Sequence, residues 1–200
     1  MIHTSSPAPL WKSRLSALAV AVALSTVLGC SASVARAGGG PLDGPDWEKA
    51  GSAQMCIPAK KGATLTFGGD ELHNYGRKDV VVDDVALLEP KGLRLVDAVV
   101  LPTRNTFIGY DSHYPPAKFF RDAVGSAWDR RKSAVGATIA PQPVSTADGS
   151  PTHNLVVAVR VTDTARVRMT GVIVDYHVGK KQYRWHNITS LVVQTKKAEC

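Results

Sequence analysis

In the last third of the chain, apolar residues fall on alternate positions. Leu155, Val157, Val159 and Val161 form one row, with Arg160 and Thr162 turned the other way. Val172, Val174, Tyr176 and Val178 form a second, opposed by Asp175 and His177. Tyr183, Trp185, Leu191 and Val193 form a third, opposed by Gln182, Arg184, His186 and Gln194. Apolar and polar faces at a period of two predict half-buried antiparallel strands. Between the second and third rows, Val178-Gly179-Lys180-Lys181 suits a two-residue hairpin with Gly first, the type II′ preference. That register pairs Tyr176 with Tyr183 and Val174 with Trp185 inside, Asp175 with Arg184 outside, and Ile173 with His186.

Upstream the rows are shorter. Ala63 to Phe67 alternates, Asn74-Tyr75-Gly76-Arg77 reads as a turn, and His73 beside it as an ordinary surface residue. From Val80 to Leu88 the apolar phase shifts across Asp83-Asp84, as a β-bulge produces. Pro90-Lys91-Gly92 turns the chain into Leu93 to Leu101, where Leu93, Leu95, Val99 and Leu101 are expected on one face, interrupted by Asp97. Ala137 to Ala140 adds a short strand. About seven strands separated by turns predict an antiparallel β-sandwich over residues 55–200. At about 103–136 the pattern lapses into an irregular, partly helical insertion, of the length at which loops often carry function. Ala117 to Lys132 (AKFFRDAVGSAWDRRK) predicts a helix broken at Gly125. Phe119, Phe120 and Trp128 are expected to cap one open end of the sandwich and, with Arg130 and Arg131, make the candidate interaction surface.

The first 37 residues contain no Asp or Glu, and Lys12 and Arg14 precede an apolar run from Leu15 to Leu28. A positive region, an apolar run and then small residues is the layout of a secretory signal; the run falls short of the roughly 20 residues that span a bilayer. Two processing sites are present. Val27-Leu28-Gly29-Cys30 resembles a bacterial lipobox, which makes residues 1–29 the signal and Cys30 a lipidated start. Ala35-Arg36-Ala37 fits the A-x-A pattern of ordinary signal peptidase and starts the protein at Gly38. Residues 30–54, rich in Gly and Pro from 38 onward, read as a flexible tether. The cysteines are Cys30, Cys56 and Cys200. An odd cysteine in an exported protein needs a reason. With Cys30 lipidated or removed, Cys56 and Cys200 are left as a disulfide pair closing nearly the whole domain, worth about 4–5 kcal/mol in the loop-entropy model.

The formal charge of +7 falls to +4 once Lys12, Arg14 and Arg36 are removed with a signal, too little for a nucleic-acid footprint. Arg130-Arg131-Lys132 is the one basic triplet; attraction to an anionic cell-wall polymer or acidic headgroups is its sharpest reading. Familiar chemical motifs fail one by one. There is no G-x-S-x-G, no S-x-x-K, no Gly-rich phosphate loop and no Asp-rich calcium loop. His73, His113, His153, His177 and His186 are dispersed, and His177 and His186 lie roughly 13 Å apart in the hairpin register. Asp70-Glu71 and Asp83-Asp84 are neighbours whose side chains point to opposite faces of a strand. No catalytic residue, metal or cofactor is expected.

The Ala/Val/Arg-rich composition, the Val27-to-Cys30 lipobox, Leu72-His73-Asn74-Tyr75-Gly76 with Val85-Ala86-Leu87 beyond it, and Gly92-Leu93-Arg94-Leu95 resemble the uncharacterised exported proteins and lipoproteins of high-GC Gram-positive bacteria. The resemblance covers most of residues 55–200 and implies an immunoglobulin-like sandwich and no activity. The cysteine pair around a buried Trp that marks that fold is absent, because the cysteines here are terminal. The function expected is a non-catalytic envelope module at the outer face of the cytoplasmic membrane, or secreted to the medium, that binds a protein or an anionic wall polymer. A metal or small-ligand carrier or sensor, and an envelope enzyme with a dispersed site, are the alternatives.

Overall fold

A computed structural model describes residues 36–37, 39–44, 52–104, 106–142, 151–187 and 189–196. The signal segment, Cys30 and Cys200 lie outside the described residues. The strands are β1 (Arg36–Ala37), β2 (Ala53–Pro58), β3 (Thr64–Leu72), β4 (Val80–Leu88), β5 (Leu93–Arg104), β6 (Gly109–Asp111), β7 (Lys132–Ser133), β8 (Thr138–Ile139), β9 (Pro151–Val161), β10 (Val167–Met169), β11 (Gly171–Val178), β12 (Lys181–His186) and β13 (Thr189–Gln194). One short helix, α1 (Lys118–Ala123), and a 3₁₀ turn over Gly125–Ala127 complete the list. The protein is a mainly β sandwich.

One sheet has the order β6-β3-β9-β5-β7, a second β1-β12-β11-β4-β8, and a third β10-β13-β2. The second and third sheets share long chain runs. β10 and β11 are one run interrupted at Thr170, and β12 and β13 are one run interrupted at 187–188. The hairpin β11-β12 is thereby prolonged as β10-β13, and β2 adds to β13 in parallel. These breaks and the two- and three-residue edge pieces raise the strand number above the seven expected. A single buried core joins the faces: Leu65, Phe67, Leu155, Val157 and Val159 from the first sheet meet Val80, Val82, Val172, Val174 and Tyr176 from the second.

The hairpin has the predicted register throughout, including Tyr176 with Tyr183, Val174 with Trp185 and Ile173 with His186. Gly179 has φ 60°, which the first central position of a II′ turn demands. The Tyr176 and Tyr183 rings stack at 5.3 Å, and Arg184 grips Asp175 with two hydrogen bonds of 2.6 and 2.8 Å. The predicted bulge in β4 is present, since pairing with β11 jumps from Asp84 to Val82 and skips Asp83.

β5 departs from expectation. Its register against β9 shifts between Leu95 and Asp97, and the extra residue reverses the phase of everything after it. Leu93 and Leu95 face the inter-sheet core with Val100, whereas Val99 and Leu101 point to the opposite side and join a second apolar cluster. Val96, at the break, is exposed. The stretch read as a tether also differs. Leu42 is buried, its N–H donates to the Tyr176 hydroxyl at 3.3 Å, and Gly40 packs where a Cβ would strike that same ring. A leucine next to a stacked tyrosine pair recovers apolar burial that a solvated linker would forgo.

Leu42→Ala is expected to lower unfolding free energy by about 2 kcal/mol, the low end for a buried leucine because the site lies at the margin of the core. Chemical denaturation measures this, and limited proteolysis between 39 and 52 should accelerate alongside it.

Candidate functional site

β9 is apolar on both faces, and Leu155, Val156, Val157, Ala158 and Val159 are all at most 1% exposed. The sandwich core covers one face. The insertion covers the other: Ile108, Val124, Ala127 and Trp128 close over Val99, Leu101 and Val156. The expected aromatic cap on an open end is therefore a cover on the outer face of a sheet. Trp128 is buried in this cover, Phe120 packs on its margin and Phe119 is 77% exposed. Of the candidate surface, Phe119, Arg130 and Arg131 face solvent, with the Arg131 guanidinium 4.6 Å from the centroid of the Trp128 ring.

Polar ties hold the insertion in register. The Asp111 carboxylate accepts from the backbone N–H groups of His113 (3.2 Å) and Ala117 (2.5 Å). The Tyr114 hydroxyl donates to Asp97 at 2.5 Å, which uses the β5 bulge as an anchor. Burial first, and then Asp97 as an accepting and negatively charged neighbour, raise the Tyr114 hydroxyl well above the ordinary tyrosine range. At the entrance, the Ile108 N–H donates to Asn154 Oδ1 at 2.9 Å. The helix breaks at Gly125, which has φ 54°, as the sequence predicts.

Where the insertion returns to the sandwich, a cleft of about 240 Å³ opens, lined by Val100, Pro102, Arg130, Lys132, Gly136, Ala137, Thr138 and His153. Strand register explains the convergence. Lys132 pairs with Val100 and His153 pairs with Pro102. Residues directly opposite, and residues two apart on one strand, share a face. All four side chains therefore project on the side that is core at Val100 and opens beyond it. Burial, then the Lys132 charge, hold the His153 imidazole below its ordinary pKa. Among the described residues no carboxylate lines the cleft.

His73 is not the surface residue expected. It is half-buried, its ring tilted against Tyr75 with centroids 4.2 Å apart, and its Nε2 is buried with no hydrogen-bond partner among the described residues. Burial lowers its pKa, opposed by Glu71 and by the backbone of Gln142. On the other sheet, His177 Nδ1 donates to Asp83 Oδ1 at 2.7 Å. Among the described residues no group of three or more His, Cys, Asp or Glu side chains converges.

A second polar cluster lies inside the sandwich. The β3 register against β9 shifts between Phe67 and Asp70; Asn154 Nδ2 donates to the carbonyls of Gly68 and Asp70 at 2.7 and 2.8 Å, satisfying the bulge. Asp70 Oδ2 accepts from Asn187 Nδ2 at 2.6 Å, and Asn187 Oδ1 accepts from the Val172 N–H at 2.6 Å. Asn187 thus fills the break between β12 and β13 and ties it to β3. Burial pushes the Asp70 carboxyl up to about 6, with the Asn187 hydrogen bond pulling the other way. Burial and the nearby Asp70 charge push the Tyr110 hydroxyl up to about 12. No sequence motif marks this cluster, because its members are far apart in the chain and meet only through strand pairing.

Folded Asp70 keeps its proton to about pH 6, whereas an unfolded aspartate releases it near 4. The folded state therefore binds the extra proton in that window, and this contribution to stability falls as pH rises from about 4 to about 6 and stays low above it. The full difference is on the order of 3 kcal/mol, at 1.36 kcal/mol per pKa unit. Asp70→Asn keeps an acceptor for Asn187 and removes the titration. Denaturation from pH 4 to 7.5 should find the variant more stable than wild type at pH 7.5 and their difference shrinking toward pH 4; parallel profiles would dismiss the assignment.

The chain matches no family model, no curated protein and no solved structure.

Proposed function

We propose that this is an exported, lipid-anchored, non-catalytic protein of the cell envelope, held at the outer face of the cytoplasmic membrane through Cys30 and acting as a binding module. The observation that carries the choice of anchor is the pairing of β1. Arg36 and Ala37 add in parallel to β12, opposite Tyr183 and Arg184. A chain cut after Ala37 loses this strand and leaves β12 as an unpaired edge, which folded proteins generally avoid. A chain that starts at Cys30 keeps it. With Arg36 paired to β12, the length between lipid and domain is short, on the order of 20 Å fully extended.

We read the strand order β3-β9-β5 against β4-β11-β12, with β2 parallel to β13, as immunoglobulin-like. A Cys56–Cys200 disulfide fits this order, because Cys56 stands opposite Val192 on β13, the strand that leads toward Cys200. The binding partner is an envelope protein or an anionic wall polymer. Its contact surface is the solvent-facing part of the insertion, where Phe119, Arg130 and Arg131 are presented from a fixed base.

Intact mass of the protein taken from its own envelope tests the anchor and the bridge together. The expected species begins at Cys30, carries diacylglycerol and gains two hydrogens on reduction. Cys30→Ser should move the protein from the membrane fraction to the soluble fraction. A native species beginning at Gly38 would overturn the anchor.

A further inference from the structure

We propose that the cleft between β5, β9 and the tail of the insertion is a phosphate-binding site, with the phosphate group held between Arg130, Lys132 and His153. This rests on reading the domain as a binding module and names the chemistry that the module recognises. It does not depend on how the domain is anchored.

The cationic groups are brought together by the fold. Lys132 and His153 flank β5 on either side, roughly 10 Å apart across two inter-strand spacings, and both project on the face of Val100 and Pro102. Arg130 reaches the same cleft from the end of the insertion. Among the described residues neither Arg130 nor Lys132 is paired with a carboxylate, and Lys132 stands close enough to His153 to disfavour its protonation. Unpaired cations facing one concavity lower their mutual repulsion when an anion enters.

The donors are pre-set. Arg130 Nη1 donates to Ser126 Oγ at 2.5 Å, which fixes the guanidinium and leaves its other donors without partners among the described residues. The Gln142 amide is oriented by the Asn74 N–H, which donates to its Oε1 at 3.1 Å. Gln142 Nε2 must then be the donor to His153 Nδ1 at 3.2 Å. That makes Nδ1 the acceptor and puts the proton of the neutral ring on Nε2, so the imidazole is itself a donor. The Thr138 hydroxyl adds another donor at the rim.

Donors arriving from three strands or loops suit a tetrahedral anion. A phosphate group offers at least two charged oxygens in three dimensions, whereas a carboxylate offers two in one plane. The volume of about 240 Å³ admits one phosphate with a small ester substituent. Val100 and Pro102 supply an apolar wall on which such a substituent can rest.

The test is calorimetric titration of the full-length processed protein with inorganic phosphate and with glycerol 3-phosphate, at constant ionic strength. Saturable one-to-one binding is expected, weakened about tenfold or more, which is 1.4 kcal/mol, by Lys132→Gln and by Arg130→Gln. Lys180→Gln, on the β11–β12 turn and outside the cleft lining, should bind like wild type. Arg130 is on the surface, so its variant keeps the test valid even where Lys132→Gln disturbs β7. Tighter binding of glycerol 3-phosphate assigns the cleft to esterified phosphate and tighter binding of inorganic phosphate to the free ion; either supports the site. Absence of saturable binding, or equal weakening by Lys180→Gln, would overturn it. Such a failure would leave the membrane fractionation of the Cys30 protein untouched, so the two proposals fail separately.

Discussion

The double-sided burial of β9 is the constraint on which the rest of this structure depends. A strand that reads Leu-Val-Val-Ala-Val cannot leave either face in water, and one sheet of a sandwich covers only one of them. The second cover has to come from elsewhere in the chain. Here it is the insertion, whose Ile108, Val124, Ala127 and Trp128 close the outer face. The irregular stretch is consequently part of the core. Its chemistry is limited to what it leaves exposed at its outer surface and its tail.

Phase breaks make that arrangement feasible. Without the bulge at Val96 and Asp97, β5 would send Val99 and Leu101 into the inter-sheet core and leave the outer face without partners for Trp128. The same bulge exposes Asp97, which accepts from Tyr114 and fastens the insertion. The β3 bulge is held by Asn154, whose amide bonds the carbonyls freed by the register shift. In each case an extra residue that weakens the ladder provides a polar handle, and that handle fixes the next layer.

The cleft inherits its geometry from these choices. Because Val100 faces inward after the β5 bulge, its neighbours Lys132 and His153 face inward too, at a point where the core has run out. A lysine on a two-residue edge strand is also an ordinary means of protecting that edge. What distinguishes this one is company: Arg130 and an imidazole with a fixed tautomer share its concavity, with no carboxylate among the lining residues.

Local sequence determined the hairpin from Val172 to His186, register included. Its inner rows, its outer Asp175–Arg184 pair and its Gly179 turn all favour one register, and pairing of chain neighbours needs no distant information. The β4 bulge was legible for the same reason, since two adjacent aspartates interrupt an otherwise continuous apolar row. The β5 bulge was not, because Leu93, Leu95, Val99 and Leu101 are equally apolar and only the insertion makes the second face dry. The basic triplet was visible as charge, but His153 had no motif around it, and its meeting with Lys132 is set by both residues pairing with β5. Asp70 and Asn187 likewise became partners through strand order alone. Periodicity reports which side of a strand is apolar; which distant groups share that side is decided by pairing across the sheet, where a shift of one residue reverses the answer.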